Sequence, residues 1–533
     1  MSLLRLGTIA ALVSATCVFA LPRADAESIP DHSSIGLIED GFDALIYRLH
    51  LVRTAERSVD IQTFIWENDE SGHAFVQACV EAAERGVRVR FLMDHLYSDR
   101  DLDTAAALAQ VHPNFEIRRY RPPGDRLKSG LRKSAAHTVL AFRPRNQRMH
   151  NKTMIVDESI AIVGGRNISN DYFNQSSTSN YLDREVFVKG PLITELTVSF
   201  EAYWNFDRSV PLGELRDVRR RIEKNSSTDW TPQSDSQVRF QQTLDPRLGD
   251  GEEIEFEIQA LMHGVENARL SVDPPGKNRR YGFFALWGPS RTADDLLGIM
   301  ADAEEHILIE TPYLILDRSS TRFFRKLNRE RPELDVKIVT DSYASTGNMA
   351  SYGGTFRSRV RALALGFGVY EMKPHPGDKP VLVPVESVLT DVNYQEVYLS
   401  IHAKSMVVDH RVSYVGSFNM DPRSIHLNTE IGIIIDDAGF ARLLEPKIEL
   451  LMQPGNSWAV KSRTFPLAGV NRKAEWVSRH LPLDLWSISS TVVVEGEPDN
   501  EVIGVLPVKD RWSKKRWLLR VNRALGFVMR PIL

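Results

Sequence analysis

The chain has 533 residues, 42% of them hydrophobic and 26% charged, with a formal net charge of −4. That length supports two or three cores at roughly 100–200 residues each, and the composition excludes wholesale disorder. The near-neutral balance excludes a surface built for non-specific nucleic-acid binding, which carries a large positive excess, so an anionic substrate must be met by local basic residues.

At the N-terminus Arg5 precedes an apolar run from Leu6 to Leu21, ended by Pro22, and Ala24-Asp25-Ala26 offers a small-x-small cleavage site. This is the layout of an export signal, and the run falls short of the ~20 residues that span a bilayer comfortably. Residues 1–26 are expected to be a cleaved signal peptide, with retention as an anchor as the alternative. The protein is then exported, and periplasmic, membrane-associated or secreted. Cleavage removes Cys17 and leaves Cys79 alone, which excludes an internal disulfide and a zinc site made of cysteines.

The chain then runs twice through one programme. Ser58 to Ile65 reads as a strand, Gly72 to Arg85 as a helix, and Val87 to Asp94 as a second strand. In the second half His306 to Pro312, a helix around Thr321 to Arg329, and Asp335 to Asp341 repeat that order. Strands alternating with helices of this length predict α/β units around a largely parallel sheet. The expected division is a first lobe over 36–210, a polar linker or lid over 211–262 with its Ser226-Ser227-Thr228 run, a second lobe over 263–450, and a C-terminal extension over 451–533.

Each lobe closes on the same kind of segment. The first reads Met149-His150-Asn151-Lys152-Thr153-Met154-Ile155-Val156-Asp157 and continues to Gly164-Gly165-Arg166-Asn167. The second reads Ile401-His402-Ala403-Lys404-Ser405-Met406-Val407-Val408-Asp409 and continues to Gly416-Ser417-Phe418-Asn419. Asn167 follows His150 by 17 residues, and Asn419 follows His402 by 17. A lone His-x-Lys is usually an exposed strand edge; two copies with equal offsets inside matching units argue against coincidence.

On a strand, the His and Lys of His-x-Lys project from one face. A neutral imidazole beside an ammonium, facing its twin, suits an anionic phosphodiester: Lys152 and Lys404 can neutralise oxygens that gain charge in the transition state. Asn167, Asn419 and Ser417 can support the same oxygens. Glu185 and Glu430, which follow in roughly corresponding places, can accept from a ring N–H and fix the tautomer.

These paired His-x-Lys-x4-Asp segments resemble the phospholipase D superfamily of the two-motif kind, over about residues 36–450. The resemblance implies two homologous α/β/α sandwich lobes related by a pseudo-twofold, one active site between them, and no metal or other cofactor. It implies that one histidine attacks phosphorus to give a phosphohistidine while the other acts as acid and base. His150 is assigned as nucleophile and His402 as acid/base. The motif set His150, Lys152, Asp157, His402, Lys404 and Asp409 is the candidate catalytic set, within which Asp157 and Asp409 are expected to support the fold. Gly164-Gly165-Arg166-Asn167-Ile168, Asp171-Tyr172-Phe173, Asp273-Pro274-Pro275-Gly276-Lys277, Gly416 to Ser424 and Leu427 to Glu430 are similar to bacterial cardiolipin synthases, especially their third type. Such enzymes transfer a phosphatidyl group to a phospholipid head-group alcohol; Lys277 and Arg423 are candidates for head-group phosphate contact, with a surface or inter-lobe salt bridge as the alternative for each.

The stretch from Lys509 to Leu533 interleaves eight basic residues with Trp512, Trp517, Leu518, Leu519 and Phe527, a composition suited to an anionic bilayer surface, with a docked terminal helix that keeps a solvated basic face as the alternative. The expected partners are phospholipid substrates and that surface, with no nucleic acid. Hydrolysis to phosphatidic acid is the alternative to transfer, and an exported nuclease is the reading from another substrate class.

Overall fold

The computed structural model describes residues 32–96, 98–128, 147–224, 234–277, 290–388, 393–462, 491–495 and 502–504. The expected signal peptide, the Ser226-Ser227-Thr228 run and the basic segment from Lys509 onward lie outside the described residues. Strands in the first half are β1 (Ser34–Ile38), β2 (Ser58–Thr63), β3 (Arg88–Asp94), β4 (Phe115–Tyr120), β5 (Thr153–Val156), β6 (Ile160–Gly164), β7 (Ser179–Leu182), β8 (Glu185–Lys189), β9 (Ser209–Pro211) and β10 (Met262–Gly264). Those of the second half are β11 (Asn267–Val272), β12 (His306–Glu310), β13 (Asp335–Asp341), β14 (Gly368–Met372), β15 (Tyr398–Ile401), β16 (Ser405–Val408), β17 (Val412–Gly416), β18 (Ile431–Asp436), β19 (Ser457–Ser462), β20 (Thr491–Val494) and β21 (Val502–Gly504).

Two sheets carry the duplication. Their strand orders are β10-β1-β8-β6-β5-β2-β3-β4-β9 and β11-β18-β17-β16-β12-β13-β14-β19-β20-β21. The run β1-β8-β6-β5-β2-β3-β4 matches β11-β18-β17-β16-β12-β13-β14 strand for strand. The sheets are mixed, not largely parallel: β2, β3 and β4 pair in parallel, whereas β2–β5, β5–β6 and β6–β8 are antiparallel. The reason is the tight turn at Asp157-Glu158, both at positive φ, which returns β5 directly into β6 as a hairpin.

Each sheet is sandwiched. Helices Gly41–Thr54 and Glu70–Glu84 cover the outer face of the first, each begun by an aspartate side chain, Asp40 or Asp69, that accepts a backbone N–H of the first turn. The inner faces meet in one core that contains Ile35, Val163 and Val186 from the first lobe and Val407, Val415 and Ile433 from the second. Helices Leu192–Trp204 and Ala438–Met452 close that shared core. Among the described residues no helix is long and apolar enough to cross a membrane.

The stretch expected as a linker or lid is folded onto the first lobe. It forms helices Arg216–Lys224, Asp235–Leu248 and Gly251–Leu261, and β10 then pairs with β1. Phe240, Leu244, Leu248, Ile254 and Ile258 are buried in the first core. One apolar residue every fourth position suffices to dock a helix while the other faces keep the charge that suggests a linker. Part of the C-terminal extension also belongs to the second sheet, since β19 pairs with β14 and β20 with β19.

Candidate active site

Both His-x-Lys segments lie just ahead of β5 and β16, not within a strand. Each is instead held by the opposite lobe. The backbone N–H of His150 donates to Thr429 O at 3.0 Å, beside a parallel bridge between Met149 and Thr429. Its counterpart, the N–H of His402, donates to Leu182 O at 2.7 Å, at the end of the parallel β15–β7 pair. The residue after each accepting carbonyl is an acid: Glu430 after Thr429, Asp183 after Leu182.

Those acids meet the rings. Nδ1 of His150 lies 2.8 Å from Glu430 Oε2 and 3.1 Å from the Ser417 carbonyl. A carbonyl only accepts, so Nδ1 carries the proton and the Nε2 lone pair is left for chemistry. Nδ1 of His402 lies 2.5 Å from Asp183 Oδ2. Each lobe therefore supplies the carboxylate that orients the other lobe's histidine.

Glu185 does not take the role expected of it. It is buried against Arg48 and Arg166 of its own lobe. The strand register explains the shift: Gly164 pairs with Glu185 as Gly416 pairs with Gly432, so the partner of Glu430 two residues earlier is Asp183. Glu185 shares the residue type of Glu430 but not its place in the sheet, which is occupied by Asp183 two residues earlier.

Glu430 is itself braced. Ser417 Oγ donates to Oε2 at 2.6 Å and Ser424 Oγ to Oε1 at 2.7 Å. Lys277, a candidate for phosphate contact, spends its three N–H groups on Asp273, Ser290 and the Ser424 carbonyl at 2.8–2.9 Å. Asp273 in turn accepts the Glu430 N–H at 3.1 Å. Lys277 holds the carboxylate's support and has no donor left for substrate.

Lys152 and Lys404 are buried, with Nζ donating to the carbonyls of His150 and His402 respectively. Burial lowers Lys152 well below an ordinary lysine and brings Lys404 to about 8. Burial, with Glu430 opposing and Lys152 assisting, pushes His150 down to about 4. Burial and the Lys404 charge push His402 to about 3. Burial works against ionisation of Glu430, but its contact with His150 and the charge of Lys152 outweigh it and hold the carboxyl at about 2. Asp183 is held low in the same way, by His402 and Lys404 against burial. At neutral pH the site thus holds two neutral rings, the Lys404 ammonium and two carboxylates. An arriving phosphodiester adds one negative charge and raises the ring pKa values.

The asparagines are not equivalent. Asn167 accepts from the Ile65 N–H at 3.1 Å and donates to Tyr172 Oη at 2.7 Å. Tyr172 Oη, free to donate its own proton, sits 3.3 Å from His402 Nε2, with the two rings edge-on at 4.9 Å. Asn419 makes no such link: its Oδ1 is buried without a partner, and Ser424 stands five residues on where Tyr172 stands after Asn167. Sequence reasoning gave Tyr172 no role, although its offset from Asn167 was visible. Asp157 and Asp409 lie outside the site. Asp157 accepts the backbone N–H groups of Glu56, Arg57 and Ser58 at 2.7–2.9 Å, and Asp409 those of Glu304, Glu305 and His306 at 2.8–2.9 Å.

A family model described as "Cardiolipin synthase, PLD-like domain" matches residues 49–204 and again 296–452. The chain is 30% identical to an uncharacterized protein of Helicobacter pylori strain 26695, across 80% of this chain and 81% of that one. It is 29% identical to cardiolipin synthase C of Escherichia coli K12, across 85% and 90% respectively. Among solved structures, the phosphatidylserine synthase of Haemophilus influenzae Rd KW20 superposes with a TM-score of 0.53 at 14% identity, covering 94% of this chain and 95% of that one, which is a likeness of fold.

Proposed function

Since the chain belongs to the family of the cardiolipin synthase, phospholipase D-like domain, we propose that it transfers phosphatidyl groups through a phosphohistidine, with cardiolipin as the product. The observation that carries this reading is the crossed pairing of Glu430 with His150 and Asp183 with His402, which sets two like-oriented imidazoles in one site flanked by Lys152 and Lys404.

The neighbours of Nε2 support His150 as nucleophile. No described group hydrogen-bonds to that nitrogen, whereas Nε2 of His402 is in contact with Tyr172 Oη. His150 Nε2 attacks phosphorus and the bond to the leaving oxygen breaks, as His402, protonated on Nε2, gives that oxygen its proton. The acceptor alcohol then yields its proton to His402 and attacks the phosphohistidine, and the P–N bond breaks to restore His150. Lys152 and Lys404 stabilise the non-bridging oxygens throughout. Water in place of the alcohol gives phosphatidic acid. The basic, apolar composition of residues 509–533 and the N-terminal signal layout support an exported enzyme working at an anionic membrane surface.

The test is incubation of purified protein, in EDTA, with phosphatidylglycerol liposomes, with and without phosphatidylethanolamine, and lipid analysis by mass spectrometry. Cardiolipin that appears with the wild type and is absent with His150→Ala and His402→Ala is the expected result. Phosphatidic acid alone makes the protein a hydrolase, and no lipid turnover by folded protein overturns the reading.

A further inference from the structure

A second cluster of ligating side chains lies away from the phosphodiester site. His306 opens β12, His410 stands in the turn between β16 and β17, and Glu445 is midway along helix Ala438–Met452. Glu445 Oε1 is 3.1 Å from His306 Nε2, and Oε2 is 2.8 Å from His410 Nδ1. The two imidazoles lie face to face, with centroids 3.9 Å apart and planes 31° from parallel. One nitrogen from each ring and one carboxylate oxygen fall within 4.8 Å of one another.

The geometry points to a binding site for a divalent cation of the zinc type, held by His306, His410 and Glu445. Both ring nitrogens of His306 are screened from solvent and neither has a hydrogen-bond partner; the Glu445 contact is close but misaligned for an N–H bond. Ring nitrogens shielded from water and left without a partner are costly, and a cation accepting the lone pair of one of them lowers the cost. Two imidazoles and a carboxylate suit zinc and its neighbours, not magnesium or calcium, which prefer oxygen. Ligands around tetrahedral zinc at ~2.0–2.1 Å stand roughly 3.3 Å apart, so small rotations of these side chains suffice. The exposed side of His410, whose side chain is 59% accessible, leaves a fourth position to water.

Location separates this site from the chemistry. β16 carries the chain from Lys404 to Asp409, so the cluster lies at the far end of that strand, roughly 15–20 Å from the lysine at about 3.3 Å per residue. The ion would tie together the start of β12, the Asp409-His410 turn and a helix of the shared core. His410 adopts φ 55°, a conformation that a bound ring would help to hold. The first lobe has no equivalent, because Ser58 and Glu158 stand where His306 and His410 stand in the second. The site belongs to one copy of the duplication only.

The full chain, free of any polyhistidine tag and stripped with chelator, would be titrated with ZnCl2 by calorimetry and thermal unfolding, with MgCl2 as control. One Zn2+ per chain and a rise in unfolding temperature are expected, with no response to Mg2+. His410→Ala, exposed and therefore safe for folding, and Glu445→Gln should both abolish the binding and the thermal shift. Lipid turnover by His410→Ala in EDTA should equal that of the wild type. Absence of zinc binding by the wild type, or undiminished binding by the two variants, overturns the assignment.

Discussion

Glu430, on the second lobe, holds Nδ1 of His150, on the first, at 2.8 Å, and the mirror pair of Asp183 and His402 runs the other way. Neither lobe can therefore orient its own ring. Glu430→Gln and Asp183→Asn keep the shape but lose the charge that stabilises an imidazolium, and each should lower kcat by about 10²–10⁴-fold. Glu185→Gln leaves both rings oriented. It removes the charge that faces Arg48 and Arg166, so it should cost stability, about 3–5 kcal/mol for a broken buried pair, while kcat per folded molecule holds. Steady-state kinetics set beside denaturant melts separate the two outcomes; a loss of kcat in Glu185→Gln without destabilisation would refute the crossed assignment.

The two depressed rings give stability a pH signature. His150 is held at about 4 and His402 at about 3, against an ordinary value near 6.5. Between those values the unfolded chain binds protons that the folded chain does not, so stability must fall as pH drops from about 6.5 toward 4. Asp183 and Glu430, held below the usual carboxylate range, add their own loss at still lower pH. Unfolding temperature measured from pH 8 to pH 4 should decline through that window, and more gently in the double variant His150→Asn, His402→Asn.

Lys404 titrates near 8 because it is buried. The ammonium is needed at the phosphate, so kcat/KM should fall on the alkaline side with a midpoint near that value. Lys404→Arg keeps its charge at every accessible pH. Whatever its absolute rate, its profile should lack the alkaline fall, and an unchanged midpoint would assign the limb to another group.

Tyr172 should matter to one histidine only. Tyr172→Phe keeps the ring packed edge-on against His402 but removes the hydroxyl that links Asn167 to Nε2. A neutral hydrogen bond is worth about 0.5–1.5 kcal/mol, so kcat should drop up to roughly tenfold with KM little changed. Burst experiments should show the loss in the proton-transfer partner's steps, with the phosphohistidine still forming at His150. Ser424→Ala, at the matching position of the other lobe, acts on Glu430 instead.

The chemistry was more legible in the sequence than its supports. The His-x-Lys pairs, the α/β order and the doubling could be read because each is local in the chain and repeated. The partner of His402 could not, because Asp183 and Glu430 correspond only through the β6–β8 and β17–β18 registers, and the acid nearest in type, Glu185, was available to mislead. Helices Asp235–Leu248 and Gly251–Leu261 were hidden because a docked helix needs only a thin apolar stripe, here Phe240, Leu244 and Leu248 followed by Ile254 and Ile258. Of the two roles open to Lys277 in the sequence, phosphate contact or an ion pair, the surrounding Asp273, Ser290 and Ser424 select the ion pair.

The aspartates that complete each motif act on the backbone. Asp157 gathers three N–H groups ahead of β2, and Asp409 does the same ahead of β12. Both stand at the ends of β5 and β16 remote from the histidines, at φ near +50°. Asp157→Ala strands donors that a carboxylate served, and a lost charged hydrogen bond costs about 1.5–3 kcal/mol. Each substitution should therefore lower the unfolding temperature by several degrees, roughly 2–4 °C per kcal/mol for a domain of this size. Turnover of a soluble phosphodiester, corrected for folded protein, should stay within about twofold of wild type, since a structural cap contributes no differential stabilisation of the transition state. A collapse of turnover in a variant that melts normally would instead put Asp157 or Asp409 back among the reacting groups.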